Sequence, residues 1–528
     1  MTGRGAARRW APWGVGVLAL VAIIVGTVQL ERSAVGLTVN EQRVGATPVT
    51  VFRPAPSAAP AAPTAAPPVV LIAHGFAGSQ QLMQPVALTL ARNGYIAITF
   101  DFPGHGRNTE PMRGGLADQD QSQRTLLASM EKMGAFARGL GQAEGRGYAV
   151  VGHSMASDIV VRHAQAHPEV WASVGVSLFA PSITADTRPD SPRNLLAISG
   201  ALEPQMMATE ALRVAGPAAT LDATTGRFED GSARRATLSP GVEHIAVLYS
   251  AHTLAETLAW LDAASGRPAA QQPFIDARGS WLGLLLAGVV ALAWPLSHLL
   301  PRVPRPPQSA CERQRWWRWR GQAPLTLLPA LITPLVLWKL PSDALPILLG
   351  DYLVLHFVLY GLLTAFGLLL LGERPPRIER STAARLALLL AVVLTALYAL
   401  LAVGVPIDRY VFNVRPETLR LPLIAALCAG TWPYFLADEW LTRRAGAAPG
   451  AYFVSKLCFL LSLVLAIALN PERLFFLAII VPAVLLLFVI YGLFSRWAYR
   501  STGHPAVAAT ANALAFGWFI AVTFPLVA

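Results

Sequence analysis

The sequence predicts an α/β domain with a mainly parallel sheet over residues 31–275, followed by an all-α multi-span transmembrane domain over 276–528. Three observations predict it. Short apolar runs ending in Gly or Pro alternate with amphipathic helical stretches through the first region. From about residue 279 the chain becomes a series of long apolar segments. The whole is 54% hydrophobic and only 14% charged, with a mean hydropathy of +0.46, where a soluble protein of this size carries about 25% charged residues.

Residues 1–10 form a basic N-terminus with Arg4, Arg8 and Arg9, and 11–30 read "APWGVGVLALVAIIVGTVQL". Twenty residues rise about 30 Å as a helix, enough to span a bilayer core. The run ends in "QLERSAVG" without a small-x-small cleavage site, so it reads as an uncleaved signal-anchor. "GLTVNEQRVGATPVTVFRP" (36–54) reads as two early strands. Residues 54–68, with six prolines in fifteen residues, read as an extended Pro/Ala-rich loop. "VVLIAHG", "YIAITFDF", "YAVVGHS", "ASVGVSLFA" and "NLLAISG" read as buried parallel strands. "QPVALTLARNG" and "RTLLASMEKMGAFARGL" read as helices between them. Eight spans follow near 279–299, 324–340, 346–371, 384–404, 420–438, 453–470, 473–494 and 506–527. The anchor makes about nine.

The formal net charge is +11, a balance that first suggests nucleic acid. Its distribution argues against that partner. Residues 31–275 hold 18 Lys+Arg against 20 Asp+Glu, leaving 24 against 11 for the rest of the chain. The excess sits in short loops between apolar segments, where it orients a membrane protein. With a cytoplasmic N-terminus, the loop "PRVPRPPQSACERQRWWRWRGQ" places six arginines on the inner side. The α/β domain is then extracytoplasmic in a multi-pass protein of the cell membrane. "RWWRWR" reads as an interfacial Trp/Arg belt contacting membrane lipids. Cys311, Cys428 and Cys458 build neither a disulfide framework nor a zinc site. No metal or cofactor is expected.

"GHSMA" (152–156) departs from the strongest serine-nucleophile pattern, G-x-S-x-G, by one methyl at Ala156. Ser154 follows a predicted strand and opens a predicted helix, as a nucleophile elbow does. A weak serine hydroxyl needs a base, and the base needs a third group to fix its tautomer and stabilise its cation. With "HGFAGS" (74–79), "DFPGHGRN" (101–108), "ISGALEP" (198–204) and "GVEH" (241–244) in this order, residues 31–275 resemble an α/β-hydrolase of the esterase/lipase-like serine hydrolases. The membrane half resembles no recognised family.

The resemblance implies Ser154 as nucleophile, Glu203 as the acid and His244 as the base. Asp186 and Asp190 are the alternatives for the acid, and His252 for the base. It also implies an oxyanion hole from the backbone N–H groups of Phe76 and Met155. His74, His105 and Asp101 are expected to shape loops, and His153 to point away from the nucleophile. Only "PSITADTRPDSPR" (181–193) separates two strands where such domains often insert a lid. The mouth is therefore expected to be open, or covered from outside 31–275.

The expected function is a membrane-anchored serine hydrolase acting on an acyl-ester or lipid-like substrate. An acyltransferase using the same acyl-enzyme is one alternative. A transporter or scaffold carrying a non-catalytic module is the other. Within the spans, Asp351, His356 and Tyr360 are candidates for a proton or substrate role, the plainer expectation for His356 being a bond to a neighbouring helix. Asp438 and Glu439 are expected to face solvent at an inner end.

Overall fold

The computed structural model describes all residues except 1–2, 57–65, 116–117, 141–146, 305–318 and 444–446. Most of the Pro/Ala-rich loop, Cys311 and most of the Trp/Arg stretch lie outside the described residues. The chain divides into two units. One comprises 25–283 together with 407–415 and 525–528. The other comprises 1–24, 284–406 and 416–524.

The α/β unit is built on a nine-stranded sheet in the order β1-β2-β4-β3-β5-β6-β7-β9-β8. The strands are β1 (Leu37–Val44), β2 (Thr47–Pro54), β3 (Val69–Ala73), β4 (Ile96–Phe100), β5 (Tyr148–His153), β6 (Val170–Val176), β7 (Leu195–Gly200), β8 (Thr224–Thr225) and β9 (Arg234–Ser239). Pairing is parallel from β4 through β9 and antiparallel for β1–β2, β2–β4 and β8–β9. The central strands are continuous apolar runs because helices cover both faces. α2 (Gln84–Arg92), α3 (Gln119–Leu140), α4 (Met155–Ala166), α5 (Gln205–Ala215) and α6 (Ala251–Ser265) supply that cover. Val70, Ile72, Val151, Val174 and Ile198 are fully buried at the core, under Val86, Leu90, Leu254 and Leu261 of α2 and α6. Between β6 and β7 the chain holds no helix or strand, so no lid domain is inserted there.

Residues 31–275 do not complete this unit. Segment 407–415 inserts its polar groups beside the loops that follow β3 and β4. Asp408 takes both Oδ atoms to Arg107 Nη2, at 3.2 and 3.0 Å, and the backbone N–H of Val414 donates to Oδ1 at 2.9 Å. The N–H of Asn413 donates to Ser79 Oγ at 2.9 Å. Arg409 pairs with Glu31 at 2.6 Å. Residues 525–528 add a short extended stretch to the loop after β4. Leu526 N–H donates to Gly104 C=O, and Met112 N–H donates to Leu526 C=O. These distant segments supply hydrogen-bond partners to Ser79 and Arg107 of the loops after β3 and β4.

The other unit is helical. Among the described residues of the chain, eight helices are long and apolar enough to cross a membrane: Trp10–Arg32, Gly279–Ser297, Gly350–Leu370, Thr382–Tyr410, Thr418–Arg443, Ala451–Leu469, Leu477–Thr502 and Pro505–Thr523. The span expected near 324–340 is a helix, Trp319–Leu337, interrupted by three prolines and shorter in its apolar part, Gln322–Leu337.

Asp438 and Glu439 do not face solvent, contrary to expectation. They are 2% and 0% exposed. Lys456 Nζ lies 2.7 Å from Asp438 Oδ2, and Arg443 Nε lies 3.4 Å from Glu439 Oε2. Opposite charges arriving from a neighbouring helix and from the next turn allow burial that either carboxylate alone would not tolerate. His356 meets Ser462 Oγ at 3.0 Å, and Tyr360 donates to Thr326 C=O at 3.1 Å. Both side chains thus bond to a neighbouring helix, His356 through Nε2 while its buried Nδ1 makes no hydrogen bond.

Candidate active site

Ser154 stands where β5 turns into α4, with φ 53° and ψ −117°. A non-glycine residue at positive φ costs on the order of 1–3 kcal/mol, so the surroundings must enforce it. They do so through Ser154 N–H donating to Val176 C=O at 2.9 Å. The Ser157 hydroxyl donates to Ser154 C=O at 2.6 Å. The turn leaves no room two residues earlier, where a Cβ on Gly152 would lie 2.6 Å from the Ala156 carbonyl oxygen and 2.7 Å from Val160 Cγ2. Two residues later the constraint is milder. Ala156 is fully buried with its methyl accommodated, so the departure from G-x-S-x-G leaves the elbow intact.

The loops after β7 and β9 bring two more side chains to the serine. His244 Nε2 lies 2.8 Å from Ser154 Oγ, and its Nδ1 lies 2.9 Å from Glu203 Oε2. Glu203 is fixed from its other oxygen, which accepts Gly200 N–H at 2.7 Å and the Ser177 hydroxyl at 2.7 Å. Burial pushes the Glu203 carboxyl up, but hydrogen bonds from His244, Gly200 and Ser177 outweigh it and hold the group below the ordinary carboxylate value. Ser177, at the end of β6, was not singled out from sequence. A hydroxyl just past the C-terminal end of a central parallel strand is the signal that would have found it. Asp186 and Asp190 lie in the loop before β7, with Asp190 paired to Arg188. His252, in the first turn of α6, meets Thr237 Oγ1 at 3.2 Å. None of the three joins the constellation.

The loop after β3 passes against Ser154: a Cβ on Gly75 would lie 3.0 Å from Ser154 Cβ. Phe76 follows directly. Met155 is the first residue of α4, so its N–H has no acceptor within the helix. His74 holds the loop by donating from Nδ1 to Gly75 C=O at 2.8 Å and accepting Phe102 N–H at Nε2. Asp101 accepts the N–H groups of Gln80 at 2.7 Å and Arg107 at 3.0 Å, joining the loops after β3 and β4. Burial pushes its carboxyl up to about 6 despite those donors. His105 donates to Pro103 C=O at 2.9 Å.

His153 differs from expectation. Its ring does not point away but packs 5.1 Å from that of His244, and its Nε2 donates to the His244 backbone carbonyl at 2.9 Å. The strand's alternation sends the His153 side chain to the face where the His244 loop descends. Burial lowers His74 to about 4 and His153 to about 3, so both imidazoles are neutral near pH 7. The rim carries exposed apolar side chains, Phe179 just after β6 and Leu202 and Met206 around Glu203.

Residues 64–222 match the model of the family described as serine aminopeptidase, S33. No curated protein matches the chain. Among solved structures, a predicted CIB-like hydrolase from Thermoplasma acidophilum is 16% identical with a TM-score of 0.33, over 43% of this chain and 99% of its own. A bacterial membrane phospholipase A described as a virulence factor is 14% identical with a TM-score of 0.32, over 50% and 95%. The thioesterase domain from the curacin biosynthetic pathway is 14% identical with a TM-score of 0.28, over 42% and 99%.

Proposed function

We propose that this chain, whose N-terminal region has the α/β-hydrolase fold, is a membrane-anchored serine hydrolase that cleaves an acyl ester through Ser154, His244 and Glu203. The observation that carries the reading is the unbroken relay from Ser154 Oγ to His244 Nε2 at 2.8 Å and from His244 Nδ1 to Glu203 Oε2 at 2.9 Å. His244 takes the hydroxyl proton as Ser154 Oγ bonds to the acyl carbon. The tetrahedral oxyanion is stabilised by the N–H groups of Phe76 and Met155. His244 then returns the proton to the departing alkoxide, and the C–O bond of the ester breaks. Water, deprotonated by His244, releases the acid and regenerates Ser154. Glu203 stays ionised, holding Nδ1–H toward itself and stabilising the imidazolium.

An apolar rim of Phe179, Leu202 and Met206, on a domain tethered by apolar helices, favours a lipid-like or envelope-associated ester. The charge asymmetry between loops favours an extracytoplasmic domain in a multi-pass protein of the cell membrane. A strained serine on a completed relay serves no purpose in a scaffold. Labelling of intact cells with a membrane-impermeant fluorophosphonate tests the proposal. Labelling that disappears in Ser154→Ala is expected. A protein that is present at the surface yet unlabelled overturns the reading.

A further inference from the structure

At the far end of α4 from Ser154, two imidazoles and a carboxylate converge on one point. His163 and His167 are four residues apart, so their rings lie on one side of the helix end, with centroids 4.4 Å apart. Glu131 reaches across from α3. Its Oε1 is 3.1 Å from His163 Nδ1 and 2.8 Å from His167 Nε2. The three atoms all lie within 4.8 Å of one another.

The outward ring nitrogens are also engaged. His163 Nε2 is 2.6 Å from the Tyr148 hydroxyl, and His167 Nδ1 is 3.2 Å from Glu169 Oε1. Glu169 is in turn held by Arg138 at 2.8 Å. Both nitrogens of His167 thus face carboxylate oxygens. Two carboxylates facing one imidazole are satisfied either by an imidazolium with two N–H groups or by one N–H and a cation on the other nitrogen. With a metal ion on Nε2, Nδ1–H donates to Glu169, and the Nε2 lone pair binds the cation. The same assignment lets His163 bind through Nδ1 and donate from Nε2 to Tyr148. Ligand nitrogens whose opposite N–H groups are fixed by a carboxylate or another oxygen are the usual surroundings of a bound metal.

The helices are shaped for this approach. A Cβ on Gly134 of α3 would lie 2.3 Å from the Tyr148 hydroxyl oxygen and 3.1 Å from His163 Nε2. A glycine inside a helix costs about 1 kcal/mol against alanine. Here it admits the Tyr148–His163 pair. The His163 side chain is fully buried, while those of His167 and Glu131 are 22% and 49% exposed. The site therefore has an entry path and an open side for water.

We propose that Glu131, His163 and His167 bind a zinc-class divalent cation, with water completing a tetrahedral set. His163 is nine residues beyond Ser154 on the same helix, roughly 13 Å along it. The ion therefore takes no part in the chemistry at the serine. It clips α3 to the helix that Ser154 begins.

Tag-free full-length protein in detergent, stripped with a chelator and dialysed, is titrated with ZnCl2 by calorimetry. Bound metal is measured by elemental analysis, and Co2+ is used as a spectroscopic stand-in. One equivalent of Zn2+ is expected, together with visible absorption from bound Co2+. Ser154→Ala should bind equally, whereas His167→Ala and Glu131→Gln should each weaken binding at least tenfold. Both substitutions sit at the exposed side of the site. Retained fluorophosphonate labelling of Ser154 or an unchanged circular dichroism spectrum reports that each variant is folded. Binding below half an equivalent, or equal binding by folded His167→Ala, overturns the proposal.

Discussion

Replacing Glu203 by Gln changes one oxygen to nitrogen and leaves the shape of the site alone. The geometry dictates which way the amide faces. Gly200 N–H and the Ser177 hydroxyl both donate to Oε1 at 2.7 Å, so that position must keep the carbonyl. The NH2 then falls where Oε2 now lies, 2.9 Å from His244 Nδ1. An NH2 there donates, which forces Nδ1 to be the acceptor and moves the imidazole proton to Nε2. Nε2–H facing Ser154 Oγ cannot accept the hydroxyl proton. The expected loss is about 10⁴-fold in acylation rate, the scale seen when a triad acid is made neutral without a change of shape, or about 5.5 kcal/mol in the barrier. The assay is the second-order rate of Ser154 modification by a fluorophosphonate, followed on full-length protein in detergent. A Glu203→Gln protein that reacts within tenfold of the wild type refutes the assignment of Glu203 as the orienting acid.

Acid should destabilise the α/β unit before it protonates Glu203. Burial holds His74 near 4 and His153 near 3, whereas an unfolded histidine titrates near 6.5. As the pH falls, the unfolded chain therefore takes up protons first. Stability that is fully present above about 6.5 is lost down to the folded values, amounting to about 2 kcal/mol per histidine by pH 5. A melting temperature unchanged between pH 7 and pH 5 would count against this, and His74→Gln should shallow the dependence. Asp408→Ala removes the nearer carboxylate from Arg107, a 21% exposed side chain, leaving Glu41 at 3.9 Å, and should lower the stability of the unit by about 2–4 kcal/mol. It should also slow labelling of Ser154, and an unchanged melt with unchanged labelling would rule that contribution out. Gly152→Ala drives a methyl into the Ala156 carbonyl and should abolish labelling, while Ala156→Gly should keep it and cost no more than about 1 kcal/mol. Equal behaviour of these two variants would contradict the account of the elbow.

The central strands were legible because strands buried on both faces must be apolar throughout. The helices were legible because one face of each is apolar. β9 was not, since "RRATLS" (234–239) has no apolar run and enters the sheet with Arg234 buried. Ser154, Glu203 and His244 were each read from local motifs. Ser177 was missed, because its bond to Glu203 joins loops 26 residues apart. Segment 407–415 could not be read either. "IDRYVFNVR" has the composition of any loop between spans, and its value lies in a carboxylate and an N–H delivered to residues some 300 positions away. The charges at 438 and 439 misled for a related reason. A carboxylate near a helix end is usually solvated, and only the fold brings Lys456 against it.

Segments 407–415 and 525–528 fold together with 25–283, and this fixes a parity. In a chain that crosses a bilayer, segments folded into one body lie on one side, so an even number of crossings must separate them. Between Arg415 and Pro525 the helices Thr418–Arg443, Ala451–Leu469, Leu477–Thr502 and Pro505–Thr523 supply four. Among the described residues between Gly283 and Ile407, Gly279–Ser297, Gly350–Leu370 and Thr382–Tyr410 meet the length and apolarity of a span. Three crossings would strand Asp408 on the wrong side from Arg107. A multi-pass reading with these segments on one side then requires the Pro-interrupted helix Trp319–Leu337 to cross as well.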